Sequence, residues 1–422
     1  MTDPNRRSFL KAGSAAAAGL AFLPHAHARG DDVIKVGLVG CGGRGTGAAD
    51  NICEAAGSTF NIKVVALGDV FKDRVDNCRE AIKNGEKSKD KYDVSDDRCF
   101  VGLDAYKKVI EASDLVILAT PPGFRPGHIE AVVEAGKNLF AEKPVAVDGT
   151  GIRKVLAAAE KAKEKGLSIV TGTQRHHQPG YIESLKRIHD GAIGEINGGQ
   201  VYWNQGAIWA HKRQPEWSDV EYQLRNWYHF LWLCGDHITE QHVHNLDVAN
   251  WALGAHPVRA VGMGGRQQVG GPELGQSYDH FAVDLEYPGG VHVMSMCRQI
   301  PGCENNVSET IVGAKGKFQS GGYRFTIDGK NERIRVQDGN PYVHEHTALL
   351  KSIVEGRPVN ELRRVAESTL TAIMGRTSAY TGKAVTWEEA LESKLDTFPK
   401  DLDMKGSLAE PEFPRPGVTE LI

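Results

Sequence analysis

Beyond its first 28 residues the chain has no run approaching the roughly 20 consecutive apolar residues that a membrane-spanning helix needs, so the mature protein is expected to be soluble. It also lacks a basic tract. The formal net charge is −4, and a mildly acidic surface repels a phosphate backbone, so no nucleic-acid partner is expected. Cysteine is sparse and scattered: Cys41, Cys53, Cys78, Cys99, Cys234, Cys297 and Cys303 form no metal-type doublet and no disulfide framework. One pair at most, Cys78 with Cys99, is considered. Internal repeats are absent. What is present, 41% hydrophobic and 25% charged residues over 422 positions, is an ordinary globular composition with room for two domains.

The N-terminus is a targeting segment. Arg6-Arg7-Ser8-Phe9-Leu10-Lys11 precedes a mildly apolar run from Ala12 to Leu23, and Ala26-His27-Ala28 supplies the small residues of a cleavage site. Positive region, apolar region and Ala-x-Ala in that order read as a twin-arginine export signal over residues 1–28, and place the mature protein in the periplasm or otherwise outside the cytoplasm. Removing Arg6, Arg7 and Lys11 together with Asp3 takes the formal charge from −4 to −6.

From Val33 the pattern alternates strand and helix, giving a doubly wound parallel sheet over residues 32–174. Val33 to Gly40 is a near-continuous apolar run, as expected for a strand buried on both faces. It opens into Gly40-Cys41-Gly42-Gly43-Arg44-Gly45, a Gly-x-Gly-x-x-Gly loop entering a helix, and the next strand ends at Asp69. Glycines let backbone amides approach a pyrophosphate at a helix N-terminus, while the acid accepts from a ribose hydroxyl. Asp69 favours NAD over NADP, because a carboxylate there repels a 2′-phosphate; Arg44 keeps NADP open. Further along, Asn138 to Ala141 forms a short apolar strand running into Glu142-Lys143-Pro144. Proline cannot donate to a sheet ladder, so the strand is expected to stop at Glu142 and leave Lys143 at the carboxyl edge, where such folds bind ligands. The last strand of this half ends at Gly172-Thr173-Gln174-Arg175, with Gln174 on the nucleotide edge and Arg175 and His176 placed to reach a polar substrate.

After Arg175 a helix leads into segments of strand-like alternation with hairpin punctuation at Pro288-Gly289-Gly290, Lys315-Gly316 and Asp328-Gly329, which predicts a second α/β domain over 175–400 with a large, mostly antiparallel open sheet. A Pro-rich tail occupies 401–422. If Ile238 to Leu253 is one helix, Val243, Leu246, Ala249 and Leu253 share a face with His242. Glu240, His244, Asp247 and Trp251 fall on another stripe, with His237 adjoining. His244 is then the histidine that faces a site, Glu240 orients it from one turn behind, and His242 is a core group. A zinc reading of these histidines with Asp236 and Glu240 is set aside because the helical wheel separates them. Six of the seven tryptophans lie between Trp203 and Trp251, and their apolar faces with polar rims suit the CH face of a carbohydrate.

These motifs resemble the family of glucose-fructose oxidoreductase, inositol dehydrogenase and MocA. The resemblance rests on Gly40-x-Gly42-x-x-Gly45, Thr120-Pro121-Pro122 with His128, Glu142-Lys143-Pro144, and His244-Asn245-Leu246-Asp247 before Trp251-Ala252-Leu253-Gly254. It implies a Rossmann domain binding NAD or NADP, with Gly43, Arg44, Thr120, Pro121, His128 and Glu142 around the cofactor. It further implies an open sheet that mediates homo-oligomers, and hydride transfer at a secondary hydroxyl of a sugar, polyol or glycoside flanked by Lys143 and His244, with His237 and Asp247 near the substrate. The family's Asp four residues before that His is Glu240 here. Because free NAD is not expected after export, the cofactor is expected to travel bound and be reset in place. Two other outcomes stand beside this one: redox-neutral NAD-dependent glycoside hydrolysis, and a nucleotide-binding protein without chemistry.

Overall fold

A computed structural model describes residues 33–268, 272–409 and 412–421, so the export signal lies outside the described residues. The first sheet contains β1 (Ile34–Val39), β2 (Ile62–Asp69), β3 (Cys99–Val101), β4 (Leu115–Leu118), β5 (Asn138–Ala141) and β6 (Ile169–Thr171). All pair in parallel, in the order β3-β2-β1-β4-β5-β6. Helices α1 (Gly43–Ala56), α2 (Lys72–Asn84), α3 (Ala105–Ala112), α4 (Arg125–Glu134) and α5 (Gly149–Glu164) alternate with the strands. Chain order reverses on either side of β1, which opens a crevice beyond the carboxyl ends of β1 and β4. β5 stops at Ala141, one residue before the expected Glu142, and the Lys143–Pro144 peptide is cis.

The second domain begins with α6 (Pro179–His189) and β7 (Ile196–Gln205), followed by four helices: α7 (Asp219–Arg225), α8 (Leu231–Cys234), α9 (His237–Glu240) and α10 (Val243–Leu253). Then come β8 (Arg259–Gly265), β9 (His280–Tyr287), β10 (Val291–Gln299), β11 (Asn306–Gly313), β12 (Gly316–Gln319), β13 (Arg324–Ile327) and β14 (Lys330–Arg333). The chain closes with α11 (Pro341–Val354), α12 (Leu362–Thr381), β15 (Val385–Thr386) and α13 (Trp387–Glu392). The nine strands run β14-β13-β12-β11-β7-β10-β9-β8-β15. Every pairing is antiparallel except β7 with β10. Alternation in β8, β9 and β10 sends Val283, Leu285 and Val293 inward to Leu370 and Ile373 of α12, while Val261 and Met263 of β8 and Met296 of β10 stay exposed on the opposite face.

α11 returns to the first domain: Leu349, Leu350 and Ile353 join the core of Ile34, Val36 and Ile52, and His346 packs 4.1 Å from the Phe140 ring. The described residues of the tail pack on the second domain, with Ser218 Oγ donating to Met404 O (2.6 Å) and Tyr278 Oη to Pro414 O (2.9 Å). The cysteines are all free, and Cys78 hydrogen-bonds Cys41 instead of joining Cys99.

Candidate functional site

The glycine loop divides its labour. Gly40 has φ +94°, and a Cβ there would lie 2.6 Å from the Ala119 carbonyl carbon; a Cβ on Gly45 would lie 1.8 Å from Gly40 O. These two glycines allow α1 to start hard against β1 and β4. At Gly42 and Gly43 a Cβ would meet nothing within 4 Å, so that open space is left for a ligand at the start of α1. Asp69 stands at the end of β2, its Oδ2 accepting from Cys41 N (2.7 Å) and Oδ1 from Phe71 N (3.0 Å). Burial raises its pKa against the pull of those two amides. A carboxylate has about four lone-pair sites, so acceptor capacity remains for a ribose hydroxyl. This cradle fits a dinucleotide.

One cavity of about 780 Å³ runs from this loop into the cleft between the domains. Of the expected cofactor residues, Gly40, Gly42, Gly43, Arg44, Gly45, Asp69, Thr120, Pro121, His128, Glu142, Lys143 and Gln174 all line it. Arg44 does not approach Asp69. Its Nε pairs with Glu142 Oε1 (3.1 Å) and its guanidinium lies 4.9 Å from the Tyr342 ring, so the cation acting on Asp69 is Arg74. His128 lies against Tyr106 (4.2 Å) and Phe124 (5.6 Å), with Nδ1 3.4 Å from Thr120 Oγ1. Burial lowers its pKa to about 3, leaving a neutral ring to wall the cavity.

At the other end stand Lys143, Glu240 and His244. The expected single helix from Ile238 to Leu253 is broken at Gln241-His242. In an unbroken helix Glu240 O would accept from His244 N. Here His244 N turns to Gln241 O (3.3 Å), and Glu240 O accepts instead from Lys143 Nζ (2.5 Å). Glu240 Oε1 adds a second contact to the ammonium at 3.2 Å. Glu240 therefore orients Lys143, not His244 as the helical wheel implied. Because its main-chain oxygen makes the closer contact, Glu in place of Asp changes little about how the lysine is held. His244 stacks on Trp203 at 5.6 Å. Burial first, then the charges of Lys143 and Arg175, hold its pKa well below the usual imidazole value, while Asp247 pulls the other way.

Four expected substrate residues lie outside the lining. Arg175 is buried and ion-paired with Glu309, its guanidinium 5.4 Å from the Tyr181 ring. His176 pairs with Asp247 (Nε2 to Oδ2, 2.8 Å) and stacks on Trp251 at 3.9 Å. Asp247 also accepts from Ser368 Oγ (2.7 Å) and Arg364 Nη1 (3.2 Å), and against burial the pairing with His176, then Arg364 and Ser368, holds its pKa far down. His237 sits between Tyr228 Oη (3.1 Å) and Trp203 O (3.3 Å), its pKa lowered to about 4 by burial. His242 is a core group bonded to Ser295 Oγ (2.8 Å). These groups brace the domain, and Glu309 shows how much: its carboxylate also takes Asn245 Nδ2 and Tyr181 Oη. Glu309→Ala, which strands the Arg175 charge, is expected to destabilise the fold by about 3–5 kcal/mol, read as a lower urea midpoint.

Two cavity residues carried no sequence signal. Arg125 is fully buried and its Nη1 donates to Pro144 O (2.5 Å), fixing the turn after Lys143. Tyr342, at the start of α11, reaches back over Arg44 and accepts from Gln174 Nε2 (3.4 Å).

Comparison with known proteins gives two matching family profiles. Residues 34–170 match the NAD-binding Rossmann fold of the oxidoreductase family of glucose-fructose oxidoreductase, inositol dehydrogenase and MocA, and residues 186–391 match the C-terminal α/β domain of the same family. The chain is similar to scyllo-inositol 2-dehydrogenase (NAD(+)) of Bacillus subtilis, 27% identical over 55% of this chain and 57% of that one. It is also similar to 2,7-anhydro-N-acetylneuraminate hydratase of Escherichia coli, 29% identical over 42% of this chain and 43% of that one. The matched stretches thus span about half of these relatives. A solved structure of scyllo-inositol dehydrogenase from Lactobacillus casei with NAD(H) and scyllo-inositol superposes with a TM-score of 0.63 at 18% identity, covering 84% of this chain and 99% of that one. It matches in fold.

Proposed function

Because the chain belongs to the oxidoreductase family of glucose-fructose oxidoreductase, inositol dehydrogenase and MocA, we propose that it transfers a hydride to or from a secondary hydroxyl of a sugar, polyol or glycoside, with NAD as cofactor. The observation that carries this reading is that Lys143, from the first domain, and His244, from the second, line one cavity with the glycine loop. When bound, the nicotinamide accepts or returns the hydride. Everything else falls to the protein's own side chains. Lys143 Nζ, steered by Glu240 O and Oε1, donates a hydrogen bond to the reacting oxygen and stabilises the negative charge that develops there. His244, buried and neutral, takes the hydroxyl proton and returns it in the reverse direction. Trp203 fixes the imidazole plane from one side, and Tyr228 offers an apolar face to the ring of the substrate.

Export through the twin-arginine route to the periplasm belongs to the same proposal, on the sequence of residues 1–28 alone, and so does a cofactor that stays bound between turnovers. Association of copies through the open sheet is supported by the exposed Val261, Met263 and Met296. The test is to denature the purified protein, identify any released nucleotide, and offer the native protein polyols, free sugars and glycosides. Ketone products or transfer between two sugars are expected. A protein that neither contains nor binds NAD or NADP overturns the proposal. Release of an aglycone without net NADH would replace hydride transfer as the net reaction with the redox-neutral one.

A further inference from the structure

We propose that Arg225 clasps the second domain over the adenosine end of the dinucleotide cavity and sets how slowly the cofactor leaves. This rests on the dinucleotide reading above. Asp69 marks the ribose position, and the residues that follow it, Val70, Phe71 and Arg74, line the cavity from the first domain. Facing them from the second domain, in the same cavity, are Trp209, Leu224, Arg225 and Trp227. The crevice that a Rossmann sheet leaves open at this end is therefore walled on both sides.

Arg225 joins the walls. It is the last residue of α7, and its Nη1 and Nη2 each lie 3.3 Å from the carboxylate of Asp73 in the first turn of α2. Its guanidinium lies against two rings, 4.0 Å from Phe71 and 5.1 Å from Trp217, while Nε pairs with Glu221 Oε1 at 2.9 Å. Phe71 is the residue whose amide donates to Asp69 Oδ1. The cation therefore packs on the side chain of the residue whose amide holds the ribose-binding acid. An exposed ion pair by itself contributes little, and Asp73 is 54% exposed. The contact with the two rings, with the arginine side chain only 19% exposed, is what holds the bridge closed.

The clasp is braced from behind. Ser218 caps α7 by accepting from Glu221 N (3.0 Å), and donates to Met404 O in the tail (2.6 Å). Leu408 N donates to Asp219 Oδ2 (3.2 Å), and Phe398 packs edge-on to Trp232 at 5.6 Å. Phe398 also packs edge-on to Phe124 of the first domain at 5.2 Å, so the tail that holds α7 is itself tied to the opposite wall. A cofactor behind such a wall is retained between turnovers, as suits an enzyme that resets it in place.

The experiment loads the full mature protein with 1,N6-etheno-NAD and follows loss of bound fluorescence after dilution into excess NAD. Arg225→Ala is expected to release the nucleotide roughly tenfold faster or more than wild type. Arg225→Lys, which keeps charge without the planar guanidinium, should fall between them. The melting temperature of nucleotide-free protein is measured alongside. Should Arg225→Ala melt well below wild type, Trp217→Leu decides, since that ring holds the guanidinium without lining the cavity, and its loss is expected to speed release as well. Equal release rates in wild type and the folded variant overturn the clasp. A wild type that binds no nucleotide overturns the dinucleotide reading instead.

Discussion

Lys143→Met is expected to lower kcat by about 10²- to 10⁴-fold while the nucleotide content of the purified protein stays near that of wild type. The variant keeps the length of the side chain and removes the ammonium. In the native site that ammonium is spoken for on one side by Glu240 O and Oε1, which leaves its third donor for the cavity. Donation to an oxygen that gains negative charge in the transition state is worth more than donation to a neutral hydroxyl, so the loss should fall on kcat more than on KM. Removal also leaves Glu240 Oε1 buried without its cation. Burial already raises the pKa of this carboxyl, and without Lys143 it rises further, so Glu240 answers by taking up a proton rather than by unfolding the cleft. Nucleotide content and turnover measured on one preparation separate the outcomes. A Lys143→Met enzyme with near-native kcat would remove the lysine from the chemistry.

The residues that reveal themselves in sequence are those whose role is set by neighbours in the chain. The glycine loop, Asp69 and the strand into Glu142-Lys143-Pro144 are local patterns, and the structure places all of them around one cavity. The hairpins of β9 with β10, β11 with β12, and β13 with β14 likewise carry their turns in the chain. β7 does not announce itself, because Ile196-Asn197-Gly198-Gly199-Gln200 shows neither alternation nor a β-branched run, yet it lies near the middle of the sheet between β10 and β11. Its glycines answer to neighbours about a hundred residues on: a Cβ at Gly199 would sit 2.9 Å from Thr310 O.

Distance along the chain also explains the misplaced substrate residues. Arg175 and His176 follow the last strand of the first sheet, and His237 and Asp247 adjoin or share the helical stripe of His244, but the groups that claim them stand elsewhere: Glu309, Trp251, Tyr228 and Arg364. A buried charge or imidazole beside a motif reads the same in sequence whether it faces the cavity or a brace. The break at Gln241-His242 is hidden for a similar reason. Nothing local forbids a helix there; what ends it is the demand of Lys143 for the Glu240 carbonyl and the pull of Ser295 on His242.

That break decides the second large effect. By turning the backbone between Glu240 and His244, it gives the carbonyl to Lys143 and sets the imidazole in the cavity against Trp203. His244→Gln is expected to cost about 10²- to 10⁴-fold in turnover, since the amide keeps polarity but cannot accept the proton. The pH dependence gives the sharper test. The base must be neutral to act, and burial with the charges of Lys143 and Arg175 lowers the pKa of His244 well below its ordinary value of 6.5. A lowered pKa means the proton leaves at lower pH, so the working form persists as pH falls through 6.5 and is lost only in more acid solution. The acid limb of kcat/KM should accordingly lie below the usual histidine range. In Lys143→Met one of the two repelling charges is gone, so the limb of the residual activity should move up toward neutral pH. In His244→Gln it should vanish. An acid limb near 6.5 that neither substitution moves would assign the proton to a group other than His244.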